Sequence, residues 1–119
     1  MDSGLENVVA AETVLSDVDG KAGRLIIRGW PVEELSARFG FEAALHMLWQ
    51  PFFPELGSMA DVQAQLGKAR ASAFEHVGSI AGGQGILSSL RTGWSLLQDD
   101  ESLEAAIALP AAAGVFLAS

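Results

Sequence analysis

The chain has 119 residues, which suffices for one small domain and not for two. Half of the residues are hydrophobic and only 18% are charged, a composition that excludes a disordered chain. Fifteen acidic residues against seven scattered basic ones give a formal charge of −8, which argues against nucleic-acid binding, since that function needs clustered Lys and Arg.

Residues 1–29 are predicted to be extended and to form a short β-hairpin. The Val8-Val9 pair and Thr13–Leu15 favour β structure, and Leu25 and Ile27 would share one face of a strand. The stretch Asp17–Gly23 contains the Asp and Gly residues that are typical of turns, so it is predicted to connect the two strands.

Residues 30–119 are predicted to be helical, with Pro and Gly residues separating the helices. Pro31 suits the first position of a helix that runs through Phe39, because its missing N–H would be unpaired there anyway. A second helical segment starts at Phe41 and is closed by Pro51.

Three further helices are predicted after these. Ser58 and Asp61 have the spacing of a capping box, followed by small and apolar residues at positions 59, 62, 66, 69 and 73. The Gly-rich residues 78–85 are predicted to form a loop, and apolar residues from Ile86 to Leu97 predict an amphipathic helix. The last helix begins at about Ser102 and is apolar on nearly all sides.

No later residues are present to cover that last helix. Residues 105–119 contain no ionisable side chain, but these 15 residues fall short of the ~20 that span a bilayer. Leaving a third of the area of its large apolar side chains wet would forfeit roughly a few kcal/mol, which is on the order of the stability of a small domain. We therefore expect the chain to be one piece of a larger fold, or to bury this helix against a partner subunit.

No motif in the chain carries catalytic chemistry by itself. Asp17–Gly20 begins like a calcium loop, but Lys21 stands at the fifth position, where such a loop needs an oxygen ligand. The run Gly82–Gly85 lacks the remaining residues of a dinucleotide fingerprint or a P-loop, which leaves a plain loop or a weak anion site. His46 and His76 lack a metal-binding motif, and the chain has no Cys. We therefore predict no catalytic, cofactor-binding or metal-binding residue here.

The chain resembles the amino-terminal segment of bacterial citrate synthases. That family has a GLE…VVA.ET.ISD-type opening, a G.L.YRGY.IEEL-type stretch, an F.E...LLW-type helix, an LRTAVS.L helix and a proline-kinked helix. Two places depart from the pattern, since Trp30 replaces a tyrosine and Gly83–Ile86 replaces a His-Pro-Met entry to a helix. The stretches that carry the resemblance follow in the family's order: Gly4–Thr13, Ser16–Gly20, Gly23–Leu35, Phe41–Trp49, Leu90–Leu97 and Ala108–Ala111.

The resemblance implies a mainly α fold, with a short amino-terminal β-hairpin followed by about five helices. Residues 1–119 would be the amino-terminal part of a citrate synthase-like large domain, without the small domain and the catalytic region. Citrate synthases are homodimers that condense acetyl-CoA with oxaloacetate and hydrolyse the citryl thioester. Their catalytic aspartate, histidines and arginines lie beyond the matched part, so none maps onto His46, His76 or an aspartate of this chain.

The resemblance also implies a subunit interface. In the family, the helices that match residues 86–98 and 103–118 pack against their symmetry mates, in agreement with the uncovered apolar helix inferred above. The expected partners are a second copy, a carboxy-terminal companion that carries the active site, or both. The expected interface residues are Leu87, Leu90, Trp94, Leu97, Leu109, Ala112, Ala113 and Phe116.

The sequence is therefore interpreted as a segment or subunit of a cytoplasmic citrate synthase-type acyltransferase of the tricarboxylic acid cycle. The chain would be inactive alone and would hold no cofactor, with acetyl-CoA as co-substrate of the complete enzyme. A 2-methylcitrate synthase, which uses propionyl-CoA, is an alternative because the acyl pocket lies elsewhere. A non-catalytic helical module that dimerises or regulates a full-length homologue is the other alternative. Neither nucleic acid nor a membrane is an expected partner.

Overall fold

The computed structural model describes residues 12–80, 83 and 85–118 of the chain. The predicted fold class, mainly α with a short amino-terminal β-hairpin and about five helices, is confirmed. The chain divides into two compact units, Met1–Leu48 and Trp49–Ser119. The strands and α-helices within the described residues are β1 (Ser16–Asp19), β2 (Arg24–Ile27), β3 (Trp30–Pro31), α1 (Val32–Arg38), α2 (Phe41–Trp49), α3 (Met59–Glu75), α4 (Ile86–Trp94) and α5 (Leu103–Ala118). Two short 3-10 helices, Pro54–Leu56 and Val77–Ser79, lie between them.

The first unit contains an antiparallel sheet in the order β1-β2-β3. Ile27 of β2 pairs with Ser16 on one side and with Trp30 on the other. Only Arg28 and Gly29 connect β2 to β3, and both have positive φ angles, 49° and 81°. Such a two-residue turn matches the twist of the strands it joins, and it normally carries Asn or Gly at its first position. The predicted β residues Val8-Val9 lie outside the described residues.

The turn between β1 and β2 is shorter than the sequence predicts. Asp17–Asp19 belong to β1, and the turn takes up residues 20–23. The Asp19 carboxylate accepts hydrogen bonds from the backbone N–H groups of Lys21 (3.1 Å) and Ala22 (2.9 Å) and pairs with Arg24 at 3.2 Å. The Ala22 and Arg24 hydrogen bonds hold the pKa of Asp19 below its ordinary value. This carboxylate therefore stabilises a plain turn, as the failed calcium-loop pattern predicts.

Helix α1 begins one residue later than predicted. Pro31 lies in β3 and precedes the helix with an extended backbone, at φ −56° and ψ 137°. Glu34 and Arg38 form the ion pair that their spacing predicts, at 3.8 Å between exposed side chains. The Arg38 guanidinium also lies 5.6 Å from the centre of the Trp30 ring, so the end of α1 packs on the start of β3.

Helix α3 starts at the predicted capping box. The Ser58 hydroxyl accepts a hydrogen bond from the Asp61 backbone N–H, and the Asp61 carboxylate accepts bonds from the Ser58 hydroxyl (2.6 Å) and backbone N–H (2.8 Å). These bonds, with the hydroxyl as the larger cause, hold the pKa of Asp61 below its ordinary value. Gly57 precedes the box at φ 76°, and a Cβ there would lie 2.7 Å from an Asp61 carboxylate oxygen.

Helix α5 lies against both α3 and α4 and forms the centre of the second unit. Its residues Ile107, Ala111, Ala112 and Phe116 are buried, as are Val62, Leu66 and Ala73 of α3. The expectation that no segment of the chain covers the last helix is therefore wrong for this face, because α3 and α4 close over it. Its opposite side stays open, with Leu109 49% and Leu117 43% exposed. Among the described residues, no helix combines the length and the apolar character needed to cross a membrane.

Candidate subunit interface

Helix α4 buries small residues and exposes the large apolar residues of its first turn. Ser89 and Gly93 are buried, whereas Ile86 and Leu87 are 66% and 73% exposed. A helix that packed only within its own unit would bury its large apolar residues instead. An outward apolar face of this kind is typical of a surface that binds another polypeptide.

Phe116 of α5 explains why residue 93 is a glycine. A Cβ at Gly93 would overlap the Phe116 ring, so only a glycine lets the α4 backbone lie directly on that ring. Phe116 is fully buried and packs with Ala73 and Ala112, and Leu90 of α4 packs against the same cluster. The contact between Gly93 and Phe116 therefore fixes α4 on α5 and determines which side of α4 points outward.

A hydrogen bond joins the end of α4 to the middle of α5. The Trp94 indole Nε1–H donates to the carbonyl oxygen of Leu109 at 3.1 Å. Both side chains stay substantially exposed, Trp94 at 41% and Leu109 at 49%, and both line the same groove between the helices. The bond thus holds an aromatic and an aliphatic side chain together at the surface.

The predicted interface residues separate into three groups by exposure. Ala112 and Phe116 are covered by α3 and α4 and form part of the chain's own core, so they do not belong to its exposed surface. The other six stay a predicted interface. Leu87, Trp94 and Leu109 are exposed, Leu90, Leu97 and Ala113 are half-buried, and Ala112 and Phe116 are fully buried.

Sequence reasoning missed Phe74, the more exposed of two phenylalanines, Phe52 and Phe74, on the surface of the same unit. Phe74 is 69% exposed and lines an open groove of about 410 Å³ together with Val77 and Val115. The sequence could have indicated this exposure, because Phe74 follows Ala73 and does not fall on the predicted core positions of α3. A bulky aromatic out of phase with the buried face of a helix points to solvent or to a partner.

The two histidines and the Gly-rich loop are the remaining positions that the sequence analysis considered. No three His, Asp or Glu side chains of residues 12–80, 83 and 85–118 come together as a metal site. His46 and His76 are half-buried and lie on different elements, at α2 and at the end of α3. Of the predicted Gly-rich loop 78–85, the structure describes residues 78–80, Gly83 and Gly85, and the loop's first two residues belong to a short 3-10 helix, Val77–Ser79. Gly82 and Gln84 lie outside the described residues.

The acidic stretch before α5 is exposed. Asp99, Asp100 and Glu101 all face solvent. Hydrogen bonds from the Ser102 hydroxyl and then from the Glu101 backbone N–H hold the pKa of Asp100 below its ordinary value. This carboxylate is therefore charged at neutral pH, and the stretch places negative charge at the positive end of α5.

Comparison with known proteins matches nearly the whole chain to one family. The family model described as "Citrate synthase, C-terminal domain" matches residues 4–118. The chain is 39% identical over 61 residues to the citrate synthase of Haloferax volcanii and 30% identical over 74 residues to the citrate/2-methylcitrate synthase of Bacillus subtilis. It is 37% identical over 57 residues to the 2-methylcitrate synthase of Mycobacterium tuberculosis. No solved structure matches the chain.

The matched part is a small share of each relative. These alignments cover 49%, 62% and 48% of this chain, respectively. They cover only 16%, 20% and 14% of the relatives. The chain thus spans a fifth or less of the length of the curated proteins that it matches.

Proposed function

Since the chain belongs to the citrate synthase family, we propose that it is a segment of a citrate synthase-type acyltransferase. The complete enzyme condenses acetyl-CoA with oxaloacetate and, with water, releases citrate and CoA. Residues 1–119 supply the amino-terminal part of its large helical domain, as scaffold and subunit interface. The catalytic groups come from the remainder of the enzyme, carried by the same polypeptide or by a companion.

The observation that carries this proposal is the family match over residues 4–118 in a chain that spans a fifth or less of its relatives. The outward apolar face of α4 supports the interface role, because the exposed Leu87 and Trp94 would bury their apolar surface against a further polypeptide segment or a partner subunit. Among the described residues, no His, Asp and Glu side chains form a cluster that could bind a metal.

The acyl donor has a second candidate, propionyl-CoA. Two of the three relatives carry 2-methylcitrate synthase in their names, which favours a 2-methylcitrate synthase as the alternative. The two donors differ by one methylene group, and a pocket that encloses such a group discriminates by about 1–3 kcal/mol. Steady-state rates with acetyl-CoA and with propionyl-CoA therefore show whether the complete enzyme is a citrate synthase or a 2-methylcitrate synthase.

The test is to restore activity from two parts. The companion is the Bacillus subtilis relative without the residues that align with this chain, and the two parts are co-expressed and purified through a tag on one of them. With acetyl-CoA and oxaloacetate, we expect the complex to release free CoA thiol and each part alone to release none.

A pair of variants shows whether the α4–α5 face carries the complex. Leu87→Ser together with Leu109→Ser should reduce recovery of the companion, because both exposed side chains lie on the candidate interface. Val18→Ser is the control, since Val18 is 69% exposed but lies on β1 of the first unit. A verified complex with no thiol release would contradict the enzyme proposal and favour the non-catalytic module.

A further inference from the structure

The groove between the end of α4 and the first half of α5 combines apolar and acidic lining residues. One part, of about 240 Å³, is lined by the apolar residues Trp94, Leu97 and Leu109 and by the acidic residues Asp99 and Asp100. An adjoining part, of about 250 Å³, shares Leu97 and Asp100 and adds the acidic residue Glu104. We call the two parts together the α4–α5 groove. No Lys or Arg lines either part.

The three carboxylates of this groove have no cationic partner within the described part of the chain. The ion pairs Arg24–Asp19 and Arg38–Glu34 both lie in the first unit and include none of these three carboxylates. Asp100 is engaged by hydrogen bonds from Ser102 and the backbone, which keep it charged rather than neutralise it. The groove therefore presents negative charge beside apolar surface, with no Lys or Arg side chain of the groove's own lining to pair with it.

Trp94 offers the groove an aromatic surface rather than a hydrogen-bond donor. Its indole N–H is already bound to the Leu109 carbonyl oxygen, while the side chain as a whole stays 41% exposed. An aromatic ring attracts a cation that lies over its face, and this attraction adds to that of nearby carboxylates. Trp94, Asp99 and Asp100 thus favour the same kind of ligand, one with a positive charge.

We propose that the α4–α5 groove binds a lysine or arginine side chain of a partner polypeptide. The methylene stem of that side chain packs on Trp94, Leu97 and Leu109, and its cationic head meets the carboxylates of Asp99 and Asp100. Lys and Arg are the side chains that join an apolar stem to a charged head, as this lining requires. An uncharged apolar side chain leaves the carboxylates without a partner, and a metal ion leaves the apolar surface wet. The assignment deepens the proposed function and rests on the α4–α5 face being an interface.

The test uses the whole chain and three probes of defined chemistry. The probes are the capped peptide Ala-Lys-Ala, the same peptide with norleucine in place of lysine, and butylammonium. The Trp94 indole N–H resonance in the NMR spectrum reports on the groove. We expect a saturable shift with the lysine peptide and at least five-fold weaker binding of the norleucine peptide, because norleucine keeps the stem and lacks the charge.

Two variants separate the groove from the general negative charge of the chain. Asp99→Asn should weaken binding of the lysine peptide about three- to five-fold, since it removes a carboxylate that lines the groove. Asp17→Asn is the matched control, because Asp17 is an exposed carboxylate on β1 that lines neither part of the groove, and it should leave binding unchanged. An unchanged far-UV circular dichroism spectrum shows that each variant keeps its fold.

Several results would overturn the proposal. Equal binding of the two peptides would mean a merely apolar surface, and equal weakening by Asp17→Asn would mean unspecific charge attraction. Butylammonium binding as tightly as the lysine peptide would assign the groove to free amines instead of a polypeptide, and the absence of a saturable shift would remove the site. The outcome is separable from the proposed function, because restored CoA thiol release without peptide binding contradicts the groove alone. Peptide binding without thiol release contradicts the enzyme alone.

Discussion

Gly93 and Gly67 are both helical glycines, and their surroundings have opposite consequences for an added methyl group. A Cβ at Gly93 would overlap the Phe116 ring, whereas a Cβ at Gly67 meets nothing within 4 Å. Gly93→Ala should therefore lower the free energy of unfolding by about 1–3 kcal/mol through overpacking. Gly67→Ala should raise it by about 0.5–1 kcal/mol through helix propensity. Urea unfolding of both variants measures the difference, and a stabilised Gly93→Ala would refute the packing described for α4.

Arg28 has a left-handed backbone conformation, which Gly and Asn adopt more easily than Arg does. Its φ of 49° is the only positive value among the described non-glycine residues. The left-handed region costs an ordinary residue roughly 1–2 kcal/mol, and Asn tolerates it better. Arg28→Asn should thus raise the free energy of unfolding by about 1 kcal/mol, while Arg28→Lys, which keeps the strain, should leave it unchanged. Equal stabilities of the Asn and Lys variants in thermal unfolding would show that the turn is not strained.

At the residue scale, local pairs were predictable and distant pairs were not. The capping box of Ser58 and Asp61 and the Glu34–Arg38 ion pair follow from fixed spacings on a helix, and both are present. The overlap that makes Gly93 necessary involves Phe116 on another helix. No spacing rule connects those two residues, because their contact depends on how α4 and α5 pack.

At the element scale, the capping box makes the start of α3 sensitive to one hydroxyl and to pH. Ser58→Ala should cost about 1 kcal/mol of unfolding free energy at neutral pH, because it removes the oxygen that accepts the Asp61 N–H. The folded-state pKa of Asp61 lies below its ordinary value of 3.8, so the carboxylate's contribution is complete above that value. It is lost as the pH falls through the lowered folded-state pKa.

Urea unfolding at pH 7 and at about pH 2.5 tests whether the stabilising contribution of the Asp61 carboxylate decreases as the pH falls. The difference in unfolding free energy between wild type and Ser58→Ala should shrink at the lower pH, since acidification protonates Asp61 and weakens its hydrogen bonds with Ser58. Ser72→Ala is the control, because Ser72 is an exposed residue within α3 and outside the box. A difference that grows on acidification would contradict the assigned role of Asp61.

The approximate positions of the helices and strands were predictable, but their bounds were not. Which side of α4 faces the core was not predictable either. Pro31 is compatible with both a strand end and a helix start, and the pairing of β3 with β2 decides between them. For α4, the apolar spacing predicts a helix but not its orientation. The small residues Ser89 and Gly93 lie inward because close approach to α5 needs them there, which leaves Leu87 outside.

At the scale of the whole molecule, the second unit buries one side of α5 and leaves apolar residues of α4 and α5 exposed. Ile107 and Ala111 are covered by the chain itself, whereas Leu87 and Leu109 are not. The sequence predicts that the apolar helix α5 must be buried, but composition alone does not show which of its sides packs against α3. The family was predictable from ordered motifs over nearly the whole chain, and the match over residues 4–118 confirms it.

The central claim is that the exposed α4–α5 face binds another polypeptide, and the mass of the purified chain in solution tests it most directly. Light scattering coupled to size-exclusion chromatography should give at least twice the mass of one chain for the wild type. Leu87→Ser should lower that mass to a single chain while circular dichroism still reports a helical protein, because Leu87 is 73% exposed and its loss leaves the core intact. A stable wild-type monomer, equal in mass and in thermal stability to Leu87→Ser, would contradict the account.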